Sequence, residues 1–200
     1  MRVTVIDYRA GNLTSVVKAL RSLGAEVAVT EDPESVQNAE RIVLPGVGHF
    51  SATQRLEDTG IKAAVAEAIC RKVPFLGICV GLQWLFAGST EAPECSGLGA
   101  LSGNCQRFAP GRKVPHVGWN SLSIRPESRL LAGVGDGSFA YFTHSYWAPE
   151  GADTVAVTIY GEPFSAAVER GSVMGVQFHP EKSGETGLRV LLNFLELPSC

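Results

Sequence analysis

The chain has 200 residues, 45% of them hydrophobic and 18% charged, enough for one well-cored globular domain over residues 1–200. Its net charge of −3 comes from 17 basic and 20 acidic residues with no long run of either sign, which speaks against a nucleic-acid partner or a charged membrane surface. The apolar run before Asp7 is too short for a signal peptide, no segment suits a bilayer span, and the five cysteines lack Cys-x-x-Cys spacing, so a reducing, cytoplasmic setting is expected, with neither a disulfide framework nor a zinc site.

In chain order, Arg2–Ile6 is an apolar strand, and 12–23 carries helical apolar spacing through Leu13, Val16, Val17, Leu20 and Leu23. Ala25–Thr30 and Arg41–Leu44 read as short strands. The loop Pro45-Gly46-Val47-Gly48 follows, where glycines permit close backbone approach to a ligand or a tight turn with positive φ. An alanine-rich helix over 61–71 feeds a buried strand over 73–78, and a helix is predicted over 80–87. This βαβ alternation implies an α/β fold, a central, mostly parallel sheet with helices on both faces. Strand follows strand from about 104 to 176, with Gly and Pro turns, predicting an antiparallel extension; a helix over 183–197 closes the chain. Loops are expected over 88–101 and 110–114.

Two segments carry chemistry. Gly77-Ile78-Cys79-Val80-Gly81 is the thiol form of a nucleophile elbow, in which the central residue occupies a strained strand-to-helix turn. The thiol would be exposed at the sheet edge, over a helix N-terminus whose dipole and free N–H groups favour a thiolate and an oxyanion. A buried packing cysteine between two glycines has the same local pattern. The strand Val173–Phe178 ends in His179-Pro180-Glu181. Residues two apart on an extended chain share a face, so Glu181 can fix the tautomer of His179 and stabilise its imidazolium. A strand-end histidine beside a solvated glutamate is commoner in isolation; both segments in one chain point to Cys79, His179 and Glu181 as nucleophile, base and orienting acid. His49, His116 and His144 lack an acid at that spacing and read as structural or interface residues. No P-loop lysine or dinucleotide pattern is present, and no cofactor or metal is expected.

These two segments resemble the triad (class I) glutamine amidotransferases, in which a cysteine thiolate attacks the glutamine amide and the ammonia released serves a synthase. Asp7–Leu13, Pro45–Phe50, Pro115–Asn120 and Tyr141–Tyr146 narrow the resemblance to the glutaminase subunits of imidazole glycerol phosphate synthases, over essentially the whole chain. That resemblance implies an oxyanion site from the N–H of Val47 or Gly48 and of Val80. It implies substrate contacts from Gln83, Glu91, Thr143, Ser145 and Tyr146, although Gln83 also suits a plain helix position and Glu91 a solvated loop charge. The implied partner is a (β/α)8-barrel cyclase in a 1:1 heterodimer, docked near Asn12, Trp119, Asn120, Tyr141 and Lys182; Trp119 suits a core place beside Val117 equally well. Another triad amidotransferase would share the elbow and His-Pro-Glu but not Pro115–Asn120. A non-catalytic relative would have a broken triad, and a free-standing cysteine hydrolase would need no partner. The family usually carries glycine where this chain has Arg9, which bears on the first loop and not on the chemistry.

Overall fold

The computed structural model describes residues 1–10 and 13–198. The first half alternates strand and helix: β1 (Arg2–Ile6), α1 (Thr14–Ser22), β2 (Glu26–Thr30), α2 (Pro33–Gln37), β3 (Ile42–Gly46), α3 (Gln54–Asp58), α4 (Ile61–Cys70), β4 (Phe75–Cys79) and α5 (Val80–Trp84). The second half is mostly strand: β5 (Gly88–Ser89), β6 (Asn104–Arg107), β7 (His116–Ser121), β8 (Ser123–Ile124), β9 (Phe139–His144), β10 (Tyr146–Trp147), β11 (Thr154–Tyr160), β12 (Glu162–Arg170) and β13 (Val173–Val176). Helix α6 (Gly184–Glu196) closes it.

The main sheet has eight strands in the order β2-β1-β3-β4-β13-β12-β11-β8. The first five run parallel, and β12, β11 and β8 add the antiparallel extension. Chain progress from β1 to β2 goes one way along the sheet and from β3 to β4 the other. Right-handed crossovers therefore put α1 and α4 on opposite faces. The packing agrees: α1 lies against α6, and α4 against α2 and α3. Strands β3, β4 and β13 are apolar and buried along their length, as expected with both faces covered. In such sheets a ligand crevice forms beyond the C-terminal strand ends, where strand order reverses.

Two smaller units roof that end. Strands β7 and β9 form an antiparallel ribbon, and β10, β6 and β5 a three-stranded sheet. The expected loop over 88–101 holds β5 and buries Ala92, Cys95 and Leu101. Helix α5 is shorter than predicted, stopping at Trp84 as the chain turns to hydrogen-bond this loop: the Leu98 N–H donates to the Trp84 carbonyl, and Leu101 to Leu85. Among the described residues no helix is long and apolar enough to cross a membrane.

Arg9 has φ 61°, the left-handed region in which glycine is at ease and other residues lose about 1–2 kcal/mol. The Arg9 N–H is held by Asp7 at 2.7 Å, and its guanidinium meets Glu31 at 3.0 Å, which also binds Arg55. Loop geometry, then, is the reason glycine suits this position.

Candidate active site

Cys79 stands at the end of β4 with φ 55° and ψ −108°, a backbone that costs a non-glycine residue roughly 1–3 kcal/mol. The glycines beside it are required by close approach. A Cβ on Gly81 would collide with the Leu44 carbonyl oxygen of β3, and one on Gly77 with the Gly81 backbone. Strand and helix can cross here only without side chains. The expectation of a thiol exposed at a sheet edge is corrected, however. Strand β4 lies between β3 and β13, so the thiol is central, and the Thr143–Tyr146 segment roofs it until Cys79 is 4% exposed. The Thr143 carbonyl oxygen lies 3.9 Å from its sulfur. Helix α5 has five residues, too few for a large dipole, so the local N–H groups matter more than the macrodipole.

His179 Nδ1 and Glu181 Oε1 are 2.9 Å apart, both side chains almost fully buried. They meet in a different way from the one expected. Strand β13 ends at Val176, and Pro180 opens a 3-10 turn over Pro180–Lys182, so a tight turn and not strand parity brings the acid to the ring. Proline suits that first position because its missing N–H has no acceptor to lose. The turn is fastened: the His179 N–H donates to the Tyr141 carbonyl, Ser183 Oγ to the His179 carbonyl at 2.7 Å, and the Tyr141 N–H to Ser183 Oγ at 2.9 Å. His179 Nε2 has no hydrogen-bond partner among the described residues and is the nitrogen left for the thiol. Burial pulls the imidazole down, but attraction from Cys79 and then Glu181 outweighs it and raises His179 from 6.5 to about 9. An imidazolium beside the sulfur is thus the favoured form at neutral pH.

Beside the thiol lies a cavity of about 230 Å³, lined by Val47, Gly48, Cys79, Val80, Gln83, Glu91, Thr143, Ser145 and Tyr146, with Pro115 and His144. All the expected oxyanion and substrate residues are therefore brought to one place. Glu91 does more than face the cavity: its Oε2 accepts the Phe50 N–H at 2.8 Å and ties down the Pro45–Phe50 loop. His179 and Glu181 line a small recess that shares Val47 with this cavity, together with Ala10, Leu13 and Val16.

Three of the expected interface residues, Trp119, Tyr141 and Lys182, form a separate cluster. Trp119 pairs across the ribbon with Tyr141, ring centroids 6.0 Å apart, and Lys182 Nζ sits 5.9 Å from the Tyr141 ring. Trp119 is 55% exposed, which removes the core alternative. Asn120 turns inward, donating to the Ile159 carbonyl at 3.1 Å, so it is held by its own chain. Asn12 lies outside the described residues. His49 caps the turn at Phe50–Thr53 through Ser51, and His116 and His144 are a buried pair with Nδ1 and Nε2 3.1 Å apart.

Sequence reasoning passed over two residues. Gln177 is wholly buried and reaches Cys79; the signal was a polar residue inside the apolar run before His179. Tyr8 is buried with its hydroxyl beside Gly46 and no hydrogen-bond partner among the described residues. Burial, helped by the charge of Cys79, pushes its phenol well above the ordinary tyrosine range. Cys70, Cys95 and Cys105 are free thiols, and among the described residues no cluster of three or more metal-binding side chains occurs.

The sequence model of the family described as glutamine amidotransferase class-I matches residues 4–197. The chain belongs to that family. Curated relatives make the same case. A protein of Deinococcus radiodurans, "Imidazole glycerol phosphate synthase subunit HisH", is 47% identical over 197 residues, 96% of this chain and 92% of that protein. The protein of the same name in Methanothermobacter thermautotrophicus is 48% identical over 98% of both chains. Among solved structures, one described as a glutamine amidotransferase superposes with TM-score 0.77 at 23% identity, covering 98% of this chain and 99% of that one. PurLQS from Thermotoga maritima gives 0.77 at 21% identity and 97% coverage of each chain. At such identities the superpositions speak for the fold of this amidotransferase alone: the mostly parallel sheet flanked by helices.

Proposed function

We propose that this amidotransferase hydrolyses glutamine to glutamate and ammonia as the glutaminase subunit of an imidazole glycerol phosphate synthase, in histidine biosynthesis. The observation that carries the reading is the strained Cys79 facing a cavity with His179 and Glu181 beside it, in a chain 47% identical to a relative of that name. One domain over residues 1–200 carries the whole activity.

In this reading Cys79 Sγ, as the thiolate, attacks the side-chain amide carbon of glutamine. The N–H groups of Val80 and of Val47 or Gly48 receive the developing oxyanion; losing one such donor typically costs about 3 kcal/mol of transition-state stabilisation. His179 Nε2 protonates the leaving nitrogen, which departs as ammonia, and the thioester remains on Cys79. The same nitrogen then takes a proton from water, which hydrolyses the thioester to glutamate. Glu181 holds the ring and balances its charge. Gln83, Glu91, Thr143, Ser145 and Tyr146 bind the substrate's polar groups, Glu91 opposite its ammonium.

Ammonia freed in neutral water is protonated and lost as a nucleophile, so the acceptor site must be close and covered. The partner is a cyclase subunit, a (β/α)8 barrel bound 1:1, which turns the ammonia into imidazole glycerol phosphate and an aminoimidazole carboxamide ribotide. Exposed Trp119 and Lys182, clustered about half-buried Tyr141, suit its docking, an aromatic and a cation being common anchors of an interface. The free thiols fit a cytoplasmic enzyme. An electrophilic glutamine analogue tests the nucleophile: mass spectrometry of labelled protein is expected to place the adduct on Cys79 and to find none in Cys79→Ala. An adduct elsewhere, with Cys79 unlabelled, refutes the assignment.

A further inference from the structure

The polar atoms behind the thiol form one connected chain whose donor directions can be worked out. Two backbone carbonyl oxygens and one N–H fix it, because those groups admit a single role. His144 Nδ1 lies 2.8 Å from the Tyr146 carbonyl oxygen, so Nδ1 carries the hydrogen and Nε2 is an acceptor. His116 Nδ1, 3.1 Å away, must then donate to that Nε2, and His116 Nε2 accepts from Asn120 Nδ2 at 3.3 Å. Asn120 is itself fixed, since its Oδ1 accepts the Ser121 N–H and its Nδ2 donates to the Ile159 carbonyl. Both imidazoles are neutral in this arrangement, and burial independently drives both well below the ordinary histidine range.

The same Tyr146 carbonyl decides the other branch. It lies 2.9 Å from the Gln83 amide, so the facing atom is Nε2. That nitrogen has a second hydrogen to give and lies 3.1 Å from the Gln177 amide, whose facing atom must therefore be Oε1. The remaining terminal atom of Gln177 is then the amide nitrogen, and it points at Cys79 Sγ at 3.6 Å. Amide orientation, ordinarily a matter of assignment, is dictated here by a carbonyl that can only accept.

The geometry points to Gln177 as a further catalytic residue: it donates an N–H to the Cys79 sulfur and stabilises the negative charge that the sulfur carries as nucleophile. The inference rests on Cys79 being that nucleophile. Gln177 is wholly buried, so water cannot substitute for the donor. Its carboxamide also ties the thiol to Gln83, and through Tyr146 to the cavity wall, so the sulfur and the substrate-binding amide are set by one hydrogen-bonded unit.

Gln177→Glu, where ionised, keeps an acceptor for Gln83 and has no hydrogen for the sulfur, and Gln177→Met removes the donor whatever the charge of a buried acid. Iodoacetamide alkylation of the purified chain, read peptide by peptide, gives the rate at Cys79 relative to exposed Cys70 in the same sample. In Gln177→Glu that ratio is expected to fall at least tenfold, with kcat for glutamine falling at least tenfold and KM changing less than threefold. Gln177→Met, of similar length and without polar atoms, gives the same loss at Cys79 and stands in if the glutamate variant does not fold. A Cys79 to Cys70 ratio within threefold of the parent in the folded variants overturns the role of Gln177. Full glutaminase activity in Cys79→Ala would instead remove the nucleophile on which it rests, a result distinct from the first.

Discussion

His179 and Glu181 form the shortest route from sequence to chemistry. In the proposed triad their 2.9 Å contact leaves Nε2 as the nitrogen for the sulfur, and the carboxylate sets which proton the ring can move. Glu181→Gln keeps the shape but presents an amide whose orientation is no longer set by charge. We expect kcat to fall by about 100-fold or more, with KM little changed, a substitution of this kind having a large effect in triad enzymes. Steady-state glutamate release measures it, and a loss below tenfold would deny Glu181 its role. These residues were legible because Cys79, His179 and Glu181 sit in short local patterns whose chemistry can be read from residue type. Gln177 was not, because its meaning comes from Gln83, which lies 94 residues away, and from a carbonyl on a third element.

At the scale of elements, the elbow depends on a backbone crossing. A Cβ at Gly81 would overlap the Leu44 carbonyl oxygen, which as strand backbone cannot swing aside. Gly81→Ala is therefore expected to destabilise the fold by about 1–3 kcal/mol and to displace Cys79, lowering activity more than stability. Denaturant unfolding and glutaminase assays check it, and a variant with parental midpoint and activity would contradict the crossing described. The long periodic elements were readable: β1, α1, α4, β4 and α6 match their predicted places within a few residues. Short ones were not, since α2 and α3 have five residues each, under two turns, and offer no periodicity to detect. The turn at Pro180–Lys182 escaped for a related reason: the apolar run Val173–Phe178 suggested an extended chain up to Glu181, whereas fastening by Ser183 and Tyr141 ended it.

Across the whole molecule, the sheet, its roof and the exposed Trp119 cluster make one arrangement. The alternating first half allowed the parallel sheet to be foreseen, and the turn-rich second half the antiparallel extension. Which strands would leave the main sheet to roof the thiol was hidden, because the ribbon β7–β9 and β10-β6-β5 pair over long sequence distances. The buried pair in that roof has a pH signature. His116, lowered to about 4, and His144, lowered to about 3, stay neutral in the fold, while the unfolded chain protonates them near 6.5. Their contribution to stability is complete above about pH 6.5 and is lost as pH falls through those folded values, where the unfolded state binds more protons. His179, raised to about 9, works the other way: its contribution is complete below about 6.5 and is lost as pH rises through 9. Imidazole NMR titration with parallel thermal melts is expected to show two histidines neutral at pH 5 and melting temperature falling from pH 6.5 to 4; both titrating near 6.5 would contradict the buried pair.

The most direct test of the functional reading is glutamate release by the purified chain, alone and then with the cyclase subunit and its ribonucleotide ligand. Slow turnover is expected alone, with a strong rise in the complex and no turnover in Cys79→Ala. Fast turnover alone, indifferent to the cyclase, would leave the triad chemistry standing and contradict the partnered enzyme proposed here.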